Sequence, residues 1–317
     1  MKVIEHIAKG NRTKVSFEIL PPTKGSSIAT IYDTLDQLME FKPPYINITY
    51  HQAEIDLKQR PDGLLEPKVV RKRPGTVAIS AAILSRYQVD VVPHLICGGF
   101  SKEDTEDALI DLHYLGISNL LTVRGDANPL TGRFMPEKNG HEHAIDLLKQ
   151  AIDLNHGKYL EDDLVNPQPT DFCIGVAAYP EKHIEAPNAE SDLKYLKAKV
   201  DAGAEYIVTQ MFFDNQKFFS FVDSCRQAGI RVPIIPGLKP VSILKHLNLL
   251  PQTFKVDIPP ALAQEVDKCK DNEAVRQVGI EWAIQQSREL IQSGVPIIHF
   301  FTMGRADNIR KIVEGIL

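Results

Sequence analysis

The chain has 317 residues, 43% hydrophobic and 24% charged, with 36 Lys and Arg against 41 Asp and Glu for a net charge of −5. That composition supplies a large apolar core and lacks the basic excess a nucleic-acid partner demands. No apolar run approaches the ~20 residues that cross a bilayer. The opening Met1-Lys2-Val3-Ile4-Glu5-His6 lacks the layout of a secretory signal, so a soluble, cytoplasmic protein is expected. Cys97, Cys173, Cys225 and Cys269 stand far apart with no CxxC pair and read as reduced packing residues.

In chain order, short apolar runs alternate with amphipathic stretches. A strand over 14–20 is followed by a helix over 27–41, with Ile28, Ile31, Leu35, Leu38 and Met39 on one face. A strand over 45–50 leads into an irregular insertion at 51–74, whose basic stretch Lys68, Arg71, Lys72 and Arg73 reads as a solvated loop or helix end. A strand over 90–97 precedes a helix over 101–115, which opens on Ser101 with Asp104 three residues on and stops at Gly116. The strand over 119–123 is followed by insertions at 127–140 and 155–171. Then come a strand over 172–178, a helix over 189–202, a strand over 206–213 and a helix over 216–228. A strand over 232–236, an insertion at 251–259, a long helix over 272–293 and a strand over 296–302 complete the chain.

Most of these strands are nearly continuous in apolar residues, as strands buried on both faces are. Eight βα units without a seam between halves predict a single (β/α)8 barrel over 1–317, with the insertions as loop decoration. The competing architecture is an open doubly wound sheet.

In a barrel the strand C-termini and the loops after them build the active site. Glu18, between Phe17 and Ile19 on a buried strand, is costly unless paired or held neutral by a raised pKa, the property a general acid needs. A structural carboxylate satisfied by amides or an Arg fits that position equally well. Arg124-Gly125-Asp126 places a cation, a flexible backbone and an anion in three residues, which suits a phosphate or a cationic intermediate but also an ordinary turn. His94 reads as a ring or phosphate contact or as a satisfied core histidine, and Gln210 as a reader of a heterocycle edge or an interior hydrogen bond. Tyr179 and His183 flank a Pro-Glu turn, and Lys199 sits in a helix where solvated surface is the default. No Rossmann or P-loop glycine pattern occurs, and no histidines are spaced for a metal.

Several segments occur in a telling order: Ser16-Phe17-Glu18-Ile19-Leu20-Pro21-Pro22, Ile48-Thr49-Tyr50, Pro93-His94-Leu95-Ile96-Cys97 and Arg124-Gly125-Asp126. They continue with Ala177-Ala178-Tyr179-Pro180-Glu181, Lys199-Val200-Asp201-Ala202-Gly203-Ala204, Thr209-Gln210-Met211-Phe212-Phe213-Asp214, Pro236-Gly237 and His299-Phe300-Phe301-Thr302-Met303-Gly304-Arg305. Over nearly the whole chain this set resembles methylenetetrahydrofolate reductases of the bacterial type that consist of the catalytic barrel alone.

The resemblance implies a barrel that binds FAD noncovalently without a Rossmann motif. It implies ping-pong use of NADH or NADPH to reduce 5,10-methylenetetrahydrofolate to 5-methyltetrahydrofolate, which feeds methionine synthesis. Glu18 matches the acid that protonates N10 of the folate, and Asp126 matches a residue near both flavin and pterin. Gln210 and Arg305 match substrate contacts. Thr49, Tyr50, His94, Arg124, Gly125, Asp126, Ala144, Tyr179, His183, Asp192 and Lys199 match the FAD surface, with Arg124 and Lys199 toward the ribityl-phosphate end. The family also implies an oligomer. His51-Gln52 stand where small residues are commoner, 155–171 is an insertion, and Leu249 and Leu250 replace an aromatic found in some relatives near nicotinamide, leaving NADH or NADPH open. With no regulatory domain after residue 317, control by adenosylmethionine is not expected. Two competing readings are a flavin-free folate-binding barrel that transfers a methyl group and a barrel without catalysis that serves as a subunit.

Overall fold

The computed structural model describes residues 1–10, 12–127 and 132–317. After a short helix α1 (Val3–Ala8), the chain alternates strand and helix. Strand β1 (Lys14–Ile19) leads to α2 (Ala29–Leu38), and β2 (Tyr45–Ile48) to a hairpin of β3 (Glu54–Gln59) and β4 (Leu65–Val70) and then α3 (Thr76–Tyr87). Next come β5 (Asp90–Ile96), α4 (Lys102–Tyr114), β6 (Asn119–Val123), α5 (Ala144–Asn155), β7 (Cys173–Ala178) and α6 (Ala189–Asp201). The chain continues through β8 (Tyr206–Met211), α7 (Asn215–Gln227), β9 (Ile234–Leu238), α8 (His246–Phe254), α9 (Pro260–Asp267), α10 (Asn272–Gln292), β10 (Ile297–Phe301) and α11 (Asp307–Glu314).

Eight strands form a closed parallel barrel in the order β1-β10-β9-β8-β7-β6-β5-β2, so the (β/α)8 expectation holds. The main core lies between sheet and helices, with Phe17, Leu35, Ile83, Leu109, Leu148, Ile207 and Phe300 among its members. A second cluster, including Tyr45, Val92, Leu121, Tyr206 and Ile235, fills the barrel around Val3. Helix α1 sits there because Val3 N donates to Asn119 Oδ1 at 2.8 Å and the N-terminal ammonium meets Asp90 at 2.8 Å. Plugging that end leaves the strand C-termini as the open face.

Helix α4 starts as its sequence predicts: Ser101 Oγ accepts from Asp104 N at 3.0 Å, and Asp104 accepts from Ser101 N at 2.9 Å. Gly116, at φ +72, ends it. The strand expected over 232–236 lies two residues later, at β9, where all five residues are buried.

Three expectations need correction. The insertion at 51–74 is not irregular, since β3 and β4 pair antiparallel from Glu54↔Val70 to Gln59↔Leu65. Its basic stretch is only in part the solvated loop expected, since Arg71, Lys72 and Arg73 follow β4 outside regular structure but Lys68 does not. Lys68 lies on β4, Lys72 bridges Glu54 at 2.8 Å and Asp56 at 2.9 Å, Arg71 covers Tyr50, and Arg73 donates to Pro21 O. The insertion placed at 251–259 begins inside α8, whose Leu250 is buried while Leu249 is half-exposed. The segment 155–171 is a loop, pinned where Asn155 Oδ1 accepts from Thr170 Oγ1 at 2.7 Å and Phe172 N at 2.8 Å. Of the expected insertion at 127–140, residues 128–131 lie outside the described residues.

Cys97, Cys173 and Cys225 are buried free thiols, and Cys269 is partly buried. Among the described residues no helix is long and apolar enough to cross a membrane, and no group of three or more metal-binding side chains occurs.

Candidate active site

The open end of the barrel carries a carboxyl surrounded by imidazoles. Glu18, near the end of β1, keeps only 14% of its side chain exposed, and its Oε2 lies 3.6 Å from His299 Nε2 and 3.8 Å from His94 Nε2. At these distances the groups interact by charge rather than as hydrogen-bonded pairs. Ser16 Oγ lies 3.0 Å from His299 Nδ1. Asn47 Oδ1 lies 3.2 Å from His94 Nε2. His299 Nε2 is buried without a hydrogen-bond partner of its own among the described residues.

Burial pushes the Glu18 carboxyl up, but the contact with His299 and the charges of His94, His299 and His51 outweigh it, so Glu18 is held below its ordinary value. The raised pKa expected for an isolated acid is therefore reversed. His94 is driven the same way: burial pushes it down to about 4, against the pull of Glu18.

Strand geometry explains this convergence. Alternate side chains of a strand share a face, which puts Ser16 and Glu18 inward together, and β10 pairs with β1 so that Ser16 stands opposite His299. Asn47 is opposite Glu18 on β2. His94 enters from β5 and, like His299, is buried.

The loops above this mouth are tied together. Tyr50 packs on Phe100 at 5.0 Å beneath the Arg71 guanidinium, 5.5 Å from its ring. Thr49 N continues the sheet with a 3.1 Å bond to Ile19 O. The Arg124-Gly125-Asp126 turn is pinned where Arg124 O accepts from Cys97 N at 3.1 Å. Gly125 has φ +95, and a Cβ there would sit 3.3 Å from Ile96 Cδ1, so the turn favours glycine. Gln52 donates to Asp126 O at 3.0 Å and joins the loop after β2 to that turn. His51 feels both the Asp126 and Glu18 carboxylates, yet burial and the Arg73 charge still lower its pKa.

Beside the mouth is a cavity of about 470 Å³ between the ends of β6 and β7 and helices α5 and α6. It brings together six of the residues singled out from the sequence: Arg124, Ala144, Tyr179, His183, Asp192 and Lys199. The Tyr179 and His183 rings meet edge-on with centroids 4.7 Å apart. His183 N donates to Asp192 Oδ2 at 2.8 Å, and burial with the nearby Arg124 lowers the His183 pKa. Lys199 is not a solvated helix residue: its Nζ donates to Ala177 O at 2.7 Å, and burial pushes it down to about 8 although Asp192 pulls the other way. Burial likewise pushes the Tyr179 hydroxyl up to about 12. A larger groove of about 1020 Å³ lies outside the barrel between α6 and α7, away from Glu18.

Two further predicted residues stand at the ends of β8 and β10. Gln210 on β8 turns its Oε1 back to accept from Met211 N at 2.8 Å. Arg305, after β10, is exposed. Neither forms a hydrogen bond or ion pair with Glu18 among the described residues. Ser16, Asn47 and His299 were missed as site residues. The available signal was a polar side chain inside an otherwise apolar strand, the pattern that marks Glu18. Glu185, which binds Arg124 from a polar loop, offered no such signal.

The fold and this mouth define a (β/α)8 barrel of enzyme type, with an acid–imidazole cluster beside a cavity that holds Arg124 and Lys199. The chain belongs to the methylenetetrahydrofolate reductase family, whose model matches residues 2–316. It is 33% identical over 294 residues to the 5,10-methylenetetrahydrofolate reductase of Escherichia coli (strain K12), covering 92% of this chain and 87% of that protein. It is 32% identical over 334 residues to methylenetetrahydrofolate reductase (NADH) 1 of Zea mays, covering all of this chain and 50% of that one. Identity is 30% over 315 residues to the probable methylenetetrahydrofolate reductase (NADPH) of Caenorhabditis elegans, covering 99% and 43%. The chain thus spans about half the length of the maize and nematode relatives. Among solved structures, an uncharacterized protein from Clostridium thermocellum that binds two copies of 5-methyl-5,6,7,8-tetrahydrofolic acid aligns with a TM-score of 0.57 at 14% identity, over 99% of this chain and 97% of that one. This likeness is one of fold.

Proposed function

We propose that this chain reduces 5,10-methylenetetrahydrofolate to 5-methyltetrahydrofolate, holding FAD noncovalently and taking hydride from NADH or NADPH in a ping-pong exchange. The product would feed methionine synthesis. The observation that carries this reading is the ring-lined cavity holding Arg124 and Lys199, beside a strand-end carboxyl, in a chain of this family. Both donors appear in the names of relatives, and the Clostridium barrel binds the folate product class.

The donor set fits FAD. Arg124 and Lys199 are cations suited to phosphate, while Tyr179 and His183 offer ring faces. Thr49 and Tyr50 after β2, and Gly125 and Asp126 after β6, would extend that binding surface toward the barrel mouth. Bound there, FAD would supply a two-electron carrier between the nicotinamide and the folate.

Glu18 is the proton donor to N10 of the folate. Imidazoles favour its ionised form in the open mouth. A substrate that displaces water strengthens the opposing effect of burial, which loads a proton onto the carboxyl. Asp126, an exposed anion at the end of β6, stabilises the cation that ring opening leaves on the folate. Gln210 and Arg305 would contact the folate from the rims of β8 and β10.

The test is the visible absorbance of the purified protein, before and after anaerobic NADH or NADPH, followed by methylenetetrahydrofolate. A flavin spectrum bleached by either nucleotide and restored by the folate supports the proposal. A colourless protein that takes up no added FAD overturns it in favour of flavin-free methyl transfer.

A further inference from the structure

Within the cavity, Arg124 is already engaged by an anion of the chain itself. Its Nη2 donates to Glu185 Oε1 at 2.8 Å, and its Nη1 donates to Oε2 of the same carboxylate. One face of the guanidinium lies 5.0 Å from the Phe134 ring. The two-nitrogen edge that Glu185 occupies is the edge that grips a phosphate bidentately. We propose that Glu185 is a built-in occupant of a phosphate subsite, and that a phosphate-bearing cofactor binds by displacing it from Arg124. The inference rests on the flavin reading above and adds a competition to it.

Exposure favours the exchange. Glu185 is 47% exposed at its side chain and Arg124 only 18%, so water lies open to the acid while the cation is held by its surroundings. The backbone around Glu185 is already anchored. Glu185 N donates to His183 Nδ1 at 3.2 Å, and His183 N in turn to Asp192 at 2.8 Å. Only the side chain has to move.

Charge points the same way. Among the described residues lining the cavity, Arg124 and Lys199 are balanced by Glu185 and Asp192, with His143 and His183 beside them. A diphosphate entering that set meets no net attraction. Once Glu185 leaves, the lining carries an excess of one positive charge, facing the incoming anion. Glu185 would thus keep a buried guanidinium paired while the cavity is empty and set a threshold against weakly charged competitors.

The experiment compares the flavin-free protein with Glu185→Gln by fluorescence titration with FAD and, as a control without phosphate, with riboflavin. An ion pair whose carboxylate stands half in water is worth little, so the variant is expected to bind FAD about fivefold more tightly, with riboflavin affinity unchanged. Inorganic pyrophosphate should also raise the thermal midpoint of the variant at lower concentration than that of the wild type. Equal or weaker FAD binding by a normally folded Glu185→Gln, judged by circular dichroism, overturns the displacement and makes Glu185 a partner of the bound state. If the wild type itself binds no FAD, the flavin reading falls and takes this inference with it.

Discussion

His299 and Glu18 meet across the seam that closes the barrel, with His299 Nε2 3.6 Å from Glu18 Oε2. Register places Ser16, not Glu18, opposite His299, so the imidazole reaches the carboxylate diagonally while its other nitrogen stays with Ser16. His94 approaches the same oxygen from β5 and is steadied by Asn47 of β2. Four strands therefore contribute to one proton-bearing cluster, in an interior where such charges act strongly on one another.

Replacing Glu18 with Gln keeps the volume and removes the acid. On the proposed function, folate reduction should fall at least ~100-fold, the usual contribution of a positioned general acid. Anaerobic bleaching of the flavin by the nicotinamide should persist, because that half-reaction needs no proton on N10. Stopped-flow measurement of the two half-reactions separates them. Wild-type folate reduction in the variant would remove Glu18 from the mechanism.

The pH dependence of stability should slope downward on the acid side. His94 is held near 4 in the folded chain against 6.5 ordinarily. Between those values the unfolded chain binds the extra proton, so stability is full above about 6.5 and is lost as pH falls toward 4. The loss attributable to His94 is at most about 3 kcal/mol. Glu18, also held low, loses its contribution in the same direction as it protonates. Urea midpoints at pH 7.5, 6 and 5 would measure the slope, and His94→Asn should flatten it. An unchanged slope in that variant would show that other groups set it.

The barrel was legible because strands buried on both faces appear as continuous apolar runs, as in β2 and β9, where every residue is buried. The β3–β4 hairpin was not. Its strands, Glu54–Gln59 and Leu65–Val70, are largely exposed and mix charge with apolar residues, and Pro67 argues against a strand. The sequence pattern also assigned no helix at α3 or α5. In the site, Glu18 stood out as an acid in an apolar strand. The direction of its pKa could not be read locally, because it depends on His94 and His299 from other strands. Lys199 looked like surface because only folding brings it against Ala177 O.

Gly175 illustrates how tightly the lower barrel is filled. It stands opposite Tyr206 in the β7–β8 register, and a Cβ there would lie 2.3 Å from the Tyr206 ring. The ring cannot swing away freely, since it is buried and its hydroxyl donates to Leu120 O at 2.8 Å. Gly175→Ala should therefore destabilise the fold by about 2–3 kcal/mol, outweighing the stabilisation that a less flexible unfolded chain brings. Pairing it with Tyr206→Leu should recover part of that loss. A single variant as stable as the wild type by denaturant unfolding would show that the barrel interior yields at this point.

Lys199 gives the cavity a charge that switches off in a mildly alkaline range. Burial holds it near 8, against 10.5 ordinarily, with Asp192 opposing the shift. Below that value the cavity carries two cations, Arg124 and Lys199; above it, Lys199 becomes neutral and only Arg124 remains. A bound phosphate favours the charged form, so the midpoint in the complex lies above 8. FAD affinity should consequently weaken several-fold between pH 7 and 9, while riboflavin, which carries no phosphate, should bind equally across that range. For the unliganded fold the sign is opposite. Between about 8 and 10.5 the unfolded chain holds more protons, so stability attributable to Lys199 rises with pH. Lys199→Met should bind FAD more weakly at pH 7 and lose the pH dependence, as read by fluorescence titration. If the variant keeps the wild-type slope, Lys199 does not carry the phosphate charge and the titrating group lies elsewhere in the cavity.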